Sequence, residues 1–262
     1  MFEESRFTVC DAGNGRIELV AAGPHEPVVR RLAELETNLG RRAEHVAFAM
    51  NAGMYDEDGR PIGLAIVEGK QKRAINRRKG GGNFHLMPNG VFQVHKDGRA
   101  EVVTSARWTP SPTVRLATQS GPMLVIDGQV HPAFDRDGTS RYIRNGVGIG
   151  PQGQPLFVIS DGPVSLGKFA RFYRDELKAR NALFFDGAVS ALWDPATGRR
   201  DLTKPLGPMV VVYKARQRIL VSGDEWMTRL VRSLSNEFDD LRAVAGPVPI
   251  GFDASQPFAI AD

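Results

Sequence analysis

The chain has 262 residues, enough for one large domain or one domain with a small appendage, and its 42% hydrophobic and 24% charged content is that of a globular protein. No apolar run reaches the ~20 residues needed to cross a bilayer, and a single cysteine, Cys10, excludes an intramolecular disulfide and any cysteine-based zinc cluster. A net charge of +4 leaves room for an anionic ligand but does not argue for nucleic acid.

The first residues, Met1-Phe-Glu-Glu-Ser-Arg6, are acidic with no apolar core behind them, so no signal peptide is expected. Residues 7–9 and 16–20 flank Gly13-Asn14-Gly15 and read as a hairpin. Val28, Val29, Leu32, Leu35 and Leu39 fall at helical spacing, with Gly40 at the helix end. Residues 45–50 and 62–67 read as buried strands, the second turning at Glu68-Gly69. Residues 91–94 and 101–104 bracket a turn at Asp97-Gly98. Further strands are expected at 123–126, 146–149, 156–159, 183–185 and 209–213. Ser165 reads as the N-cap of a helix over 166–180 that places Phe169, Phe172, Tyr173 and Leu177 on one side. After Lys214 the character changes: Trp226, Leu230 and Leu234 suit an amphipathic helix, followed by a loose tail. The expectation is an α+β domain over 7–213, with a multi-stranded mixed, largely antiparallel sheet core and two or three packed helices, plus an extension over 214–262.

Two strands end in Asp-Gly, at Asp161-Gly162 and Asp186-Gly187. Such ends present a carboxylate and a backbone-exposing turn at a sheet edge, and two of them on neighbouring strands suit acid–base chemistry. The same pair also simply closes turns. Asn51-Ala52-Gly53-Met54-Tyr55 follows a strand and offers an amide and a glycine of close approach. The acidic Asp56-Glu57-Asp58 after it lacks the ligand spacing of a calcium loop and reads as solvated. Basic residues from Lys70 to Lys79, then Gly80, Gly81 and Gly82, could cradle a phosphate or form a solvated face, and they lack the Gly-Lys-Ser/Thr ending of a nucleotide loop. His85 and Asn89 suit either a site or the scaffold. Ser120, in Gln119-Ser120-Gly121-Pro122, has no nucleophile-elbow context and reads as a hydrogen-bonding residue. Arg144, at the head of a glycine-rich strand, is the better anion clamp because a guanidinium keeps its charge.

Taken in order, these segments resemble the phosphodiester glycosidase family, the domain family of the mannose 6-phosphate uncovering enzyme. The family's Asn-Gly-Gly-Phe-Phe-like motif is answered by Asn51 to Tyr55, its Gln-Ser-Gly-Pro by Gln119 to Pro122, and its Arg-x-x-x-Gly strand by Arg144 to Gly148. Its Asp-Gly-Gly-Gly-Ser strand end appears as Asp186-Gly187-Ala188-Val189-Ser190, and the run from Gly82 to Phe92 is similar to a bacterial branch. Ala52, Ala188 and Val189 stand where the family has glycine.

The resemblance implies hydrolysis of a sugar-1-phosphodiester or related anionic glycan to free sugar and a phosphomonoester, without metal or cofactor. It implies Asp186 as the essential carboxylate, Asp161 as supporting acid or base and Arg144 as phosphate clamp. Asn51, Gly53, Tyr55, His85, Asn89, Gln119, Ser120 and Ser190 then contact the substrate. One alternative is a catalytically silent relative that binds anionic exopolysaccharide, favoured by Ala188 and Val189. Another is a metal-dependent phosphodiesterase using Asp161, Asp186 and His85. The family is usually exported, whereas no export signal is expected here, so localisation stays open, as does the oligomeric state.

Overall fold

The computed structural model describes residues 1–187, 189–202 and 204–215. The helix expected around Trp226 to Leu234 and the tail after it lie outside the described residues. The strands of the first half are β1 (Phe7–Asp11), β2 (Ile17–Val20), β3 (Val46–Asn51), β4 (Ala65–Val67), β5 (Lys70–Arg73), β6 (Gly90–His95), β7 (Ala100–Thr104) and β8 (Val114–Ser120). Those of the second half are β9 (Met123–Ile126), β10 (Gln129–Val130), β11 (Asn145–Ile149), β12 (Pro155–Ser160), β13 (Ala182–Asp186), β14 (Leu192–Asp194), β15 (Arg199–Arg200) and β16 (Met209–Tyr213). Among the described residues two α-helices, α1 (Leu32–Leu39) and α2 (Leu166–Arg171), accompany them. The fold is α+β with a strand-dominated core.

The described residues form three sheets, in the orders β1-β12-β11-β13-β9-β10, β15-β14-β3-β16-β2 and β5-β4-β8-β6-β7. Every strand pairing among the described residues is antiparallel. The expected hairpin at the N-terminus does not form. β1 pairs with β12 along its whole length, from Phe7 with Ser160 to Asp11 with Leu156, while β2 pairs with β16 in the second sheet. The Gly13-Asn14-Gly15 turn is a crossover between sheets, and Gly15 packs so closely that a Cβ there would lie 2.3 Å from the Tyr213 carbonyl. A turn signal specifies a reversal of the chain, not the partner of the strands it joins.

Helix α1 begins at Leu32, because Val28 and Val29 stay outside it and the Arg30 amide is capped by Glu34 Oε2 at 2.9 Å. It ends at Gly40, whose φ of +54° favours glycine. Ser165 caps α2 as expected, its Oγ accepting from Lys168 N at 3.1 Å. The helix is shorter than 166–180, continuing only as one wider π turn, Phe172–Glu176. β8 was absent from the expected strands, because Arg115, Thr118, Gln119 and Ser120 break the apolar pattern.

One core joins the three sheets through Phe48, Met50, Phe92, Phe157, Leu183, Phe185 and Val210. β13 is buried on both faces: Leu183 and Phe185 enter this core, while Ala182 and Phe184 pack on α2 with Phe169 and Tyr173. Side chains alternate across a strand, so an unbroken apolar run buried on both sides anchors it firmly. Each large side chain contributes about 1.5–3 kcal/mol when fully buried. The last residue of this clamped strand is Asp186.

Candidate active site

Antiparallel pairing sends particular strand ends to one end of the molecule. β8 ends at Ser120 where β6 begins at Gly90, and β13 ends at Asp186 where β11 begins at Asn145. The end of β3 joins them, since Asn51 hydrogen-bonds to Asn145. The opposite end, with the turns at 13–17 and 96–98, holds a separate cavity of about 640 Å³ lined in part by Arg16, Lys96 and Arg115.

Asn145 is the hub. Its Oδ1 accepts from Asp186 N at 3.1 Å, and its Nδ2 donates to Asn51 O at 2.8 Å and Asn51 Oδ1 at 3.0 Å. Asn51 Oδ1 also accepts from Ala191 N at 2.9 Å. Ser190 Oγ lies within hydrogen-bond reach of Asp186 O (2.8 Å), Ile143 O (2.9 Å) and Asn145 Oδ1 (3.3 Å). Asn51 and Asn145 are fully buried, so these bonds replace water and hold the turn after β13 in place. β13 carries one extra residue where Asn145 faces Asp186, a bulge of the kind that re-aims a strand end.

Arg144, one residue before the hub, is 1% exposed. Its Nε donates to Val164 O at 2.7 Å and its Nη2 to Ser140 O at 2.8 Å. The guanidinium lies over the rings of Phe184 and Tyr142, at 5.4 and 5.5 Å. Its third nitrogen, Nη1, is buried with no hydrogen-bond partner. A Cβ on Gly187 would lie 2.9 Å from that atom. Burial pushes the Arg144 pKa down to about 10, so the group is still a cation at neutral pH. The result is a fixed positive charge with one unused donor, next to the residue that follows Asp186.

Tyr55 belongs to the same neighbourhood. Its hydroxyl donates to Pro205 O at 3.0 Å, and burial, with the Asp186 charge adding to it, pushes its pKa to about 12. The phenol is therefore neutral.

The other expected residues are engaged in contacts within the protein. Gly53 is needed for packing, since a Cβ there would lie 2.3 Å from Gln119 O. Gln119 is bonded at both amide atoms: Oε1 accepts from Leu64 N (2.9 Å) and Asn76 N (2.8 Å), and Nε2 donates to Asn76 O (2.6 Å). Ser120 Oγ donates to Phe185 O at 2.8 Å. Asn89, fully buried, donates to Phe84 O at 3.0 Å and accepts from Ser105. His85 Nδ1 meets Arg78 O at 2.8 Å.

Asp161 does not lie on a strand adjacent to that of Asp186. β11 runs between β12 and β13. The Asp161 carboxylate instead accepts from Thr8 Oγ1 at 2.8 Å and pairs with Arg199 at 3.2 Å, so it ties β1 to β15. Asn145 and Gly187 are the residues that sequence reasoning left out of the site. The signal for both was present, an Asn directly after the candidate clamp and a Gly directly after the candidate carboxylate.

Residues 44–213 match the family model described as phosphodiester glycosidase. The chain belongs to the phosphodiester glycosidase family. The match takes in Asn51, Tyr55, Arg144, Asn145, Asp186 and Ser190, and it ends with β16. Among curated proteins, the chain is 38% identical over 148 residues to the uncharacterized protein YigE of Escherichia coli (strain K12), covering 56% of this chain and 58% of that protein's length. Among solved structures, the chain is similar in fold to the zebrafish N-acetylglucosamine-1-phosphodiester alpha-N-acetylglucosaminidase catalytic domain auto-inhibited by pro-peptide, with a TM-score of 0.57 and 15% identity over 81% of this chain and 83% of that one. A hypothetical protein from Synechocystis matches with a TM-score of 0.50 and 13% identity over 82% of this chain and 61% of that one.

Proposed function

We propose that the chain hydrolyses a sugar-1-phosphodiester, releasing free sugar and a phosphomonoester. The observation that carries this reading is the buried, hydrogen-bond-free Nη1 of Arg144 against Gly187, beside Asp186. A buried donor without a partner costs about 1–3 kcal/mol, and a phosphodiester oxygen would satisfy it with a charge-assisted bond. The guanidinium is preorganised by the Val164 and Ser140 carbonyls, so it does not reorganise as charge grows on the leaving phosphate.

In this reading the bond from the anomeric carbon to the phosphate oxygen breaks and its electron pair leaves with the phosphate. Water adds to the anomeric carbon and its proton passes to the Asp186 carboxylate, which also stabilises the oxocarbenium-like transition state. Phosphate is a good leaving group, so the step makes little demand on a general acid. That suits a site from which Asp161 is turned away. The neutral Tyr55 borders the carboxylate without competing for the phosphate.

The test is turnover of sugar-1-phosphodiesters in ¹⁸O-labelled water. The expected result is label in the sugar, with Asp186→Asn reducing the rate by orders of magnitude. Label in the phosphate, or an Asp186→Asn variant at full rate, would overturn the assignment. Binding of the diesters without any turnover would favour the silent glycan-binding relative, for which Val189 in place of a family glycine speaks.

A further inference from the structure

A second set of positive charges rises at the same end of the molecule as Asp186, and the site described above does not use it. Residues 70–82 contain six cations and no acid. Lys72 is paired with Glu26, and the Arg77 side chain is held by two carbonyls, donating Nε to Ser105 O at 2.9 Å and Nη2 to Trp108 O at 2.8 Å. Arg78 and Lys79 are exposed, and their side chains make no ion pair among the described residues. Charge runs of this kind usually lie on mobile, solvated segments. This one is held.

Gln119 grips Asn76 through both backbone groups, and Asn76 in turn donates to Ile62 O at 2.9 Å and accepts from Arg78 N at 3.1 Å. His85 Nδ1 fixes the Arg78 carbonyl, and the His85 ring packs so closely on Gly80 that a Cβ there would lie 2.9 Å from it. Fixing a backbone costs conformational entropy. Holding Arg77, Arg78 and Lys79 in consecutive places adds like-charge repulsion. The anchor is also the scaffold of the site: Gln119 holds this loop, while the next residue, Ser120, holds Phe185 O and so the strand of Asp186. After Lys79 come three exposed glycines, Gly80, Gly81 and Gly82, which leave backbone amides open to a ligand.

We propose that Arg78 and Lys79, with the amides of Gly80, Gly81 and Gly82, form a second anion subsite. It makes the preferred substrate a polyanionic glycan, one that carries further phosphate or carboxylate groups beyond the scissile diester. This rests on the hydrolytic reading above for the scissile bond, but the subsite itself is a matter of binding. Two groups at this loop and one at Arg144 would read the charge spacing along such a chain.

The experiment compares two probes, a short sugar-1-phosphodiester with a neutral alkyl aglycone and an oligomer of at least three sugar-1-phosphate repeats. In the wild-type chain the oligomer is expected to have the lower KM, and its advantage to shrink as salt rises. The Arg78→Ser/Lys79→Ser double variant is expected to reduce the discrimination between oligomer and short diester about fivefold to tenfold. An unchanged ratio, or a wild-type chain that does not distinguish the probes, overturns the subsite. Equilibrium binding of both probes to Asp186→Asn separates this outcome from failure of the hydrolytic reading. If nothing is hydrolysed but the double variant still loses oligomer binding, the subsite stands and the chemistry falls. A uronate oligomer as third probe tells carboxylate from phosphate as the group recognised.

Discussion

Arg144 keeps one guanidinium nitrogen out of hydrogen bonding and presses it against Gly187, where a side chain would lie 2.9 Å from that nitrogen and 2.9 Å from the Phe184 ring. The backbone at Gly187 is not left-handed, so alanine is excluded by space alone. Gly187→Ala should therefore cost about 1–3 kcal/mol of stability from overpacking and lower kcat/KM about 100-fold by covering the donor. Thermal unfolding and steady-state kinetics read the two effects separately. A variant that still binds a phosphomonoester with wild-type affinity would show that Nη1 is not the anion site.

Arg144→Lys keeps a charge but loses the bonds to Val164 O and Ser140 O. We expect kcat/KM to fall about 10²–10³-fold, since lysine cannot reproduce the fixed donor geometry. The pH dependence has a definite sign. The Arg144 pKa lies below its usual 12.5, at about 10, so the buried charge is a burden on the fold that is relieved as pH rises from about 10 towards 12.5. Anion affinity moves the other way and should weaken as pH rises through about 10, as the cation is lost. Titration of a phosphomonoester against pH, with circular dichroism on the same samples, checks that binding is lost before the fold.

The Asn51–Asn145 pair should behave as one unit. Asn145→Leu leaves Asp186 N and Asn51 without their partners, and each buried unsatisfied group costs about 1–3 kcal/mol. Asn51→Leu removes the partner of Ala191 N as well. Urea unfolding of both single variants and the double variant should give a coupling of about 0.5–3 kcal/mol, with the double variant less destabilised than the sum. Additive losses would mean that the two amides act independently.

Ser120→Ala and Asp161→Asn should both leave turnover within a few-fold of wild type. Ser120 donates its hydroxyl hydrogen to Phe185 O, and Asp161 accepts from Thr8 and Arg199, so the proposed function gives neither a direct part in the chemistry. The serine change should cost about 1 kcal/mol, and the exposed aspartate less. A loss of activity by orders of magnitude in a folded Ser120→Ala would instead identify a nucleophile.

The sequence by itself determined the class and the ingredients. Apolar runs such as 183–185 and 209–213 read as strands because burial on both faces demands continuous hydrophobicity, and Ser165 read as a cap because its hydroxyl can accept from the first helical amides. Asp186 stood out as a carboxylate at the end of an apolar strand that answers a family motif, and Arg144 as a lasting cation at the head of a glycine-rich strand. β8 stayed hidden because its buried Thr118, Gln119 and Ser120 are paired inside the protein, a circumstance invisible to hydrophobic periodicity.

Only the tertiary structure decided how these ingredients meet. Two Asp-Gly strand ends are alike in sequence, yet β11 lies between their strands, so Asp186 comes beside Asn145 while Asp161 pairs with Arg199 and Thr8. Asn145 and Gly187 gained their roles in the same way. An amide becomes a hub only when two strands bring Asn51 and Asp186 to it, and a glycine becomes necessary only when a buried guanidinium packs against it. Pairing and packing act over long stretches of chain, whereas sequence patterns carry only local preference.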